Sequence, residues 1–271
     1  MALFVSEPNI SAAWVGGLTK LVAAGGEAVN LIVTIADPVA EIDGVRATLE
    51  GFVGARRARN RKSVEKVSTV ANTLFPLSWY RESLGDAAAA HLYELEQETR
   101  HVSHRTANRG TYFQRLVAWP DPDKGEVNQL SRVIDRLSLA RERGEERGNQ
   151  YEVGVTGPMD EGFAAPIVVP GHDNLTRGFP CLSHISFSLH RGEVHLTALY
   201  RSHDYVSRAY GNYIGLGRVL AFVGIESGWP IGEVTCISSS ATAEFFRGGK
   251  FGKGHVEELL AKCIAAVEAE R

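Results

Sequence analysis

The run SHISFSLHRGEVHLTALYR, residues 183–201, constrains the fold more than any other stretch of this chain. Two β-rich segments flank His190-Arg191-Gly192, which reads as a hairpin turn with glycine at the left-handed position. In the first segment Ile185, Phe187 and Leu189 alternate with polar residues, so one face is built for burial. Strand patterns recur around it, in YEVGVTG from 151, in AAPIVVPG from 164 and from Ile231 to Ser238. Earlier in the chain helices dominate. Residues 10–25 carry helical spacing with Ser11 as a candidate N-cap. An apolar run, VNLIVTI at 29–35, is closed by Asp37-Pro38. Helices follow at 39–54, at 83–100 and at 125–143, where Val127, Leu130, Val133, Ile134 and Leu137 form one stripe. Ser68 to Tyr80 is mixed and turn-like, and 101–111 reads as a polar loop. A helix at 211–226, apolar almost all round, and one at 254–269 complete the pattern. Helices first and mostly strands later predict an α+β fold with an antiparallel or mixed sheet, as a single domain over 1–271.

Bulk properties exclude several classes. A net charge of −3 offers no global positive field to nucleic acid or to an anionic membrane surface. No apolar run approaches the ~20 residues of a membrane span. The start, MALFVSEPNI, has neither the basic region nor the apolar stretch of a signal peptide. Three cysteines, Cys181, Cys236 and Cys263, are too few and too scattered for a disulfide framework or a zinc site, so a reducing cytoplasm is expected. His101, His104, His184, His190 and His195 show no metal-ligand spacing, and no metal is expected.

One constellation carries chemistry. Cys181 follows Pro180; Arg201-Ser202, Asp204 and Asn212 come after the hairpin. A thiolate is a nucleophile, and a neighbouring Arg201 would favour the anion; a lone cysteine is equally a small buried hydrophobe. Arg201 with Ser202 suits an oxyanion, or else a strand-end ion pair with Asp204. The Asn212 carboxamide matches a pyrimidine edge, or else caps the helix behind it. Arg56, Arg57, Arg59, Arg61 and Lys62 read as a solvated or anion-facing segment. The glycine-rich RGGKFGKG, 247–254, lacks P-loop spacing and reads as a flexible loop.

These residues resemble the thymidylate synthase superfamily, which includes the pyrimidine nucleotide hydroxymethylases. In that family a Pro-Cys nucleophile is followed by Arg-Ser, Asp and Asn; here Cys181 to Arg201 spans 20 residues and Asp204 to Asn212 spans 8, as in the family. A second block, Tyr112 to Pro120 with Asn128-Gln129-Leu130 after it, matches the family's tyrosine segment ending in Ala-Trp-Pro. The two blocks cover roughly residues 109–245, about half the chain. The resemblance implies a thymidylate synthase-like mixed sheet packed with helices and dimerising through a sheet face. It implies that Cys181 adds to C6 of a pyrimidine nucleoside 5′-monophosphate and that Tyr112 helps remove the C5 proton. Asp204 would organise the site, Arg201 and Ser202 would hold phosphate, and Asn212 would read the base. The one-carbon donor implied is 5,10-methylenetetrahydrofolate, and the activity is C5 methyl- or hydroxymethyl transfer.

Departures accompany the match. Asn149 and Gln150 stand where the family has paired phosphate arginines, with Arg141, Arg143 and Arg147 nearby. Thr242 and Glu244 replace the sugar-binding His and Tyr, and Leu182 replaces the His after the nucleophile. Glu94, Glu96 and Glu98 compete for the family's helix glutamate, and Arg59 or Arg61 for its mobile phosphate arginine. The match does not extend to the family's folate-closing C-terminal segment. An alternative therefore stands beside the enzyme: a non-catalytic nucleotide-binding or scaffold homologue on the same fold.

Overall fold

A computed structural model describes residues 2–59, 64–106, 111–121, 125–145, 151–154, 181–245 and 249–270. The strand read in AAPIVVPG lies outside the described residues, as do Arg61, Lys62, Arg147, Asn149, Gln150 and Pro180.

The chain opens with β1 (Leu3–Asn9), α1 (Ile10–Ala23), β2 (Glu27–Asp37) and α2 (Asp43–Arg59). Then come α3 (Val67–Leu74), α4 (Ala88–Thr106), α5 (Tyr112–Val117), β3 (Trp119–Asp121), β4 (Gly125–Val127) and α6 (Gln129–Arg143). The later half contributes β5 (Tyr151–Gly154), β6 (Leu182–His190), β7 (Glu193–Tyr200), β8 (His203–Asp204), α7 (Tyr210–Ser227), β9 (Ile231–Thr242) and α8 (Lys253–Ala269). The main sheet runs β1-β2-β9-β7-β6-β5, with β8 beside β9, and it is mixed as expected. The β1–β2, β7–β9 and β8–β9 pairs are parallel and the others antiparallel. The hairpin closes through Arg191 and Gly192, both at positive φ (52° and 77°), the geometry that matches strand twist in a two-residue turn.

The alternation read in β6 is realised, since Ile185, Phe187 and Leu189 are all buried. Full burial of each contributes roughly 1.5–3 kcal/mol. Leu31, Val33 and Ile35 of β2, Val234 and Cys236 of β9, and Val194, Leu196 and Ala198 of β7 join them in the core. α1 packs against β1 and β2, α7 against β7 and β9, and α6 against β5. The alternate residues form two rows across the other face. Phe4, Ile32, Ile237, Leu199 and His184 are successive cross-strand partners from β1 to β6, and so are Ser6, Thr34, Thr235, Thr197 and Ser186. All ten are exposed or half-buried.

Several local expectations need correction. Asn9, not Ser11, caps α1, its Oδ1 accepting from the Ala12 N–H at 2.9 Å. Ser11 is buried and instead meets Tyr210 Oη at 2.8 Å and accepts from Ile42 N–H at 2.7 Å. The helix expected over 39–54 runs Asp43–Arg59. Ser68 to Tyr80 contains α3, whose Val67, Val70, Ala71 and Leu74 are buried against α7. α4 continues to Thr106, through much of the expected polar loop. The segment 125–143 splits into β4 and α6, with Asn128 capping α6 through an acceptor bond from Ser131 N–H at 3.0 Å.

Candidate active site

Cys181 immediately precedes β6 and is half-buried. Its carbonyl accepts the Arg201 N–H at 2.9 Å, so the hairpin's two ends are closed onto each other at the thiol. Tyr112 arrives from α5, where Thr111 caps the helix by accepting the Gln114 N–H at 3.1 Å and Phe113, Leu116 and Val117 anchor it in the core. The Tyr112 phenol reaches across to β6. Its Oη accepts the Cys181 N–H at 3.1 Å and the Leu182 N–H at 3.3 Å. Two residues 69 apart in sequence thus share one hydrogen bond.

Asp204 lies in β8, opposite Thr242 of β9. It pairs with Lys250, the Nζ–Oδ2 distance being 2.6 Å. The Lys250 ammonium also meets Glu244 Oε1 at 3.0 Å and donates to Ser207 Oγ at 3.2 Å. Glu244 is buried and accepts from the Ser207 N–H and hydroxyl, each at 2.6 Å. Ser207 belongs to a π-helical turn, Tyr205–Ala209, that leads into α7; single turns of this kind recur at functional sites.

Asn212 lies inside α7, not at its cap, and is buried. Its Nδ2 donates to His203 Nε2 at 3.0 Å, and His203 Nδ1 meets Ser238 Oγ at 2.9 Å. The Tyr200 ring stacks on His203 at 4.3 Å with the planes 2° apart. Ser202 is exposed beside Arg201, which is half-buried.

The electrostatics run against a simple reading of the thiol. Burial pushes the Cys181 thiol up, and the Asp204 carboxylate adds to this; Arg201, Arg208 and Lys250 oppose it without prevailing. Arg201 acts in the expected direction but is outweighed. Burial also raises Tyr112, with Cys181 adding and the two backbone N–H donors opposing. Burial holds His203 down to about 3, with Asp204 opposing, so the ring is neutral. Burial raises Glu244 and Lys250 opposes, whereas Lys250 itself is raised because its two carboxylates outweigh its own burial. The contacts on both Glu244 oxygens are those of an ionised carboxylate facing an ammonium.

No protein-family model matches the chain. It is 30% identical over 131 residues to the "Putative thymidylate synthase" of Methanosarcina barkeri, covering 48% of this chain and 51% of that protein. Proteins of the same name from Methanosarcina mazei and Methanococcoides burtonii match at the same identity and extent. Over that half the chain is similar to these proteins. It spans about half the length of the curated relatives it matches. The fold brings Cys181, Tyr112 and Arg201 together through the bonds given above, with Asp204 close enough to bear on the thiol. Among the described residues Asn212 bonds to His203, on which Tyr200 stacks, and Tyr200 in turn interacts with Tyr112 and Cys181. The sequence reading missed Lys250, Ser207, Arg208 and His203. Arg208 could have been noticed as a cation in the segment between Asp204 and Asn212. Lys250 had no local signal, because its partner lies 46 residues away across the β8–β9 pairing. Among the described residues no cluster of side chains could hold a metal ion, and no helix is long and apolar enough to cross a membrane.

Proposed function

We propose that this chain transfers a one-carbon unit to C5 of a pyrimidine nucleoside 5′-monophosphate. The observation that carries the reading is the phenol of Tyr112 seated on the backbone amide of Cys181. A nucleophile and a proton-handling group are thereby held side by side at the start of β6, a strand paired on both sides. The Cys181 Sγ gives its proton to solvent and forms a bond to C6; the C5=C6 π pair moves onto C5 and the C4 carbonyl, which makes C5 nucleophilic. 5,10-Methylenetetrahydrofolate, when bound, supplies an electrophilic carbon at the oxidation level of formaldehyde. After C5 has been substituted, water takes the C5 proton and Tyr112 helps by orienting it; the phenol's Oη already accepts two N–H groups, so its own O–H is left to hold that water. Loss of Cys181 from C6 as the thiolate restores the ring; the bond from the transferred carbon to its donor breaks, and water adds to that carbon to give the hydroxymethyl product or a hydride from the tetrahydrofolate adds to give the methyl product. Arg201 and Ser202 receive the phosphate, and Arg208 adds positive charge near the thiol. Asp204 organises the site, and Asn212 reads the base edge.

A homodimer through the open sheet face belongs to the same proposal. That face offers a row from Phe4 to His184 beside a row of hydroxyls from Ser6 to Ser186, a pattern that suits a second copy.

The non-catalytic alternative has one specific observation in its favour: the Cys181 thiol is raised rather than lowered in the free protein. Two measurements separate the readings. Tritium release from C5-labelled dUMP, UMP, dCMP and CMP, each with methylenetetrahydrofolate, is expected for at least one nucleotide and is abolished in Cys181→Ala. No release from any of the four, together with calorimetric binding of a monophosphate, would leave the binding homologue standing. A 5-fluoro analogue of the active substrate is expected to leave a covalent adduct on Cys181, since fluorine at C5 cannot depart as the proton does.

A further inference from the structure

The glycine-rich segment before α8 is not a loose connector in the described residues. A Cβ at Gly249 would collide with the backbone carbonyl of Glu244, so the chain folds back tightly on itself there. The Phe251 N–H closes the turn onto the same carbonyl at 3.1 Å. Phe251 then packs on Phe52 of α2, centroids 5.2 Å apart, which fixes the exit of the turn. Glu244 itself sits at φ 60°, a conformation that costs energy for a residue with a side chain and that the surrounding contacts must hold. The consequence of this construction is the position of Lys250, whose three ammonium protons face Asp204, Glu244 and Ser207.

We infer that Lys250 is a positioning residue: its ammonium clamps the Asp204 carboxylate beside Cys181 and thereby sets the reactivity of that thiol. The inference rests on the reading of Cys181 as the reactive group, and the proposed reaction itself is not needed for its test. The charged and titratable groups bearing on Cys181 are Asp204 from β8, Arg201 from the end of β7, Arg208 from the π-helical turn and Lys250 from the glycine-rich turn. The phenols of Tyr112 and Tyr200 also interact with it. Among these Asp204 is the group that opposes the thiolate by its charge, and Lys250 is in direct contact with it. Removal of the ammonium both withdraws a favourable charge and leaves Asp204 uncompensated, so the two effects add in the same direction. Glu244 completes the arrangement by holding Lys250 from the far side, and its own oxygens are occupied by Ser207.

The test is the pH profile of Cys181 alkylation by iodoacetamide, with peptide mass spectrometry reading that cysteine alone and with no nucleotide or folate present. Cys236 and Cys263 are buried and held up to about 12, so they contribute little to the same reaction. Lys250→Met is expected to raise the midpoint by about one unit and slow labelling at neutral pH about tenfold. Lys250→Arg restores the wild-type profile, because the charge returns. Asp204→Asn lowers the midpoint below wild type, and in the Lys250→Met background it brings the midpoint back down. A Lys250→Met profile that overlays the wild type would overturn the inference. Should that variant fail to fold, an Asp204→Asn midpoint equal to or above the wild type overturns it equally. If tritium release fails for all four nucleotides while these shifts occur, the transfer reading falls and the Lys250 assignment stands.

Discussion

His203 is the group whose burial has the most direct consequence for stability. It is enclosed by Tyr200, Tyr205, Tyr213, Asn212 and Ser238, and its pKa is held from the usual 6.5 down to about 3, with burial the main cause and Asp204 opposing. The folded chain therefore keeps the ring neutral in a range where the unfolded chain protonates it. Between those two values the unfolded state binds more protons, so stability falls as pH drops through 6.5 toward 3. Each unit of difference is worth ~1.36 kcal/mol, so the gap of about 3.5 units sets a loss of ~5 kcal/mol below both values. Near pH 5, about 1.5 units below the unfolded value, the loss is ~2 kcal/mol. The perturbation is His203→Gln, whose amide retains a donor and an acceptor for Ser238 and Asn212 but does not titrate. Urea unfolding of both proteins at about pH 7, 6 and 5 gives the comparison. The wild type should lose ~2 kcal/mol more than the variant between about pH 7 and 5. The absolute stability of the variant is not the criterion; the slope is. Parallel stability–pH curves would refute the reasoning, because they would mean that the ring either protonates in place or is not buried in solution.

Two further outcomes follow from the geometry. Tyr112→Phe deprives the Cys181 and Leu182 N–H groups of their acceptor, a cost of ~1–3 kcal/mol, or roughly 2–4 °C of melting temperature per kcal/mol, and should cut C5 tritium release at least ~100-fold; an unchanged melting temperature would remove the structural half of that argument. Ile237→Glu puts a carboxylate between Ile32 and Leu199 on the open sheet face and should weaken a dimer at least ~100-fold in sedimentation equilibrium, an uncompensated buried charge costing several kcal/mol; a wild type that is monomeric at micromolar concentration contradicts the dimer proposal outright.

What the sequence disclosed depended on how local each signal was. The β6–β7 hairpin was legible because alternation and turn chemistry coincide within 20 residues, and both appear in the structure as read. α8 was legible from its stripe, of which Val256, Leu259, Leu260, Cys263 and Val267 are buried. β1 escaped notice because Phe4 is exposed, Pro8 interrupts the run and only Val5 is buried, so the strand is defined by its partner β2 and not by its own pattern. Ser11 had the chemistry of a cap, but Asn9 occupied that role and left Ser11 free for Tyr210, 199 residues away. At the candidate site, Cys181 stood out by its offsets to Arg201, Asp204 and Asn212, whereas Tyr112 entered through the resemblance alone. The clamp on Asp204 was invisible to both, since neither spacing nor resemblance points to Lys250.

Glu244 shows why a departure from a family pattern should be interpreted only with its neighbours known. By sequence it stands where a sugar ligand is expected, and an acidic side chain there suggests an altered sugar contact. In the fold both of its oxygens are taken by Ser207 and Lys250, and it is buried, so it has been withdrawn from the ligand side and made part of the clamp on Asp204. Thr242, the other replacement, accepts the Glu244 N–H at 3.0 Å and keeps a hydroxyl proton to give. A single small donor cannot exclude a 2′-hydroxyl by bulk, and one missing contact discriminates weakly unless a buried polar group is left unpaired by the wrong ligand. Under the proposed function, the residues that set the surroundings of Cys181 are therefore expected to leave the choice of sugar open. Ribose and deoxyribose monophosphates therefore belong together in the first assay, where a ratio of rates near one is expected and a strong preference for either sugar would contradict this argument.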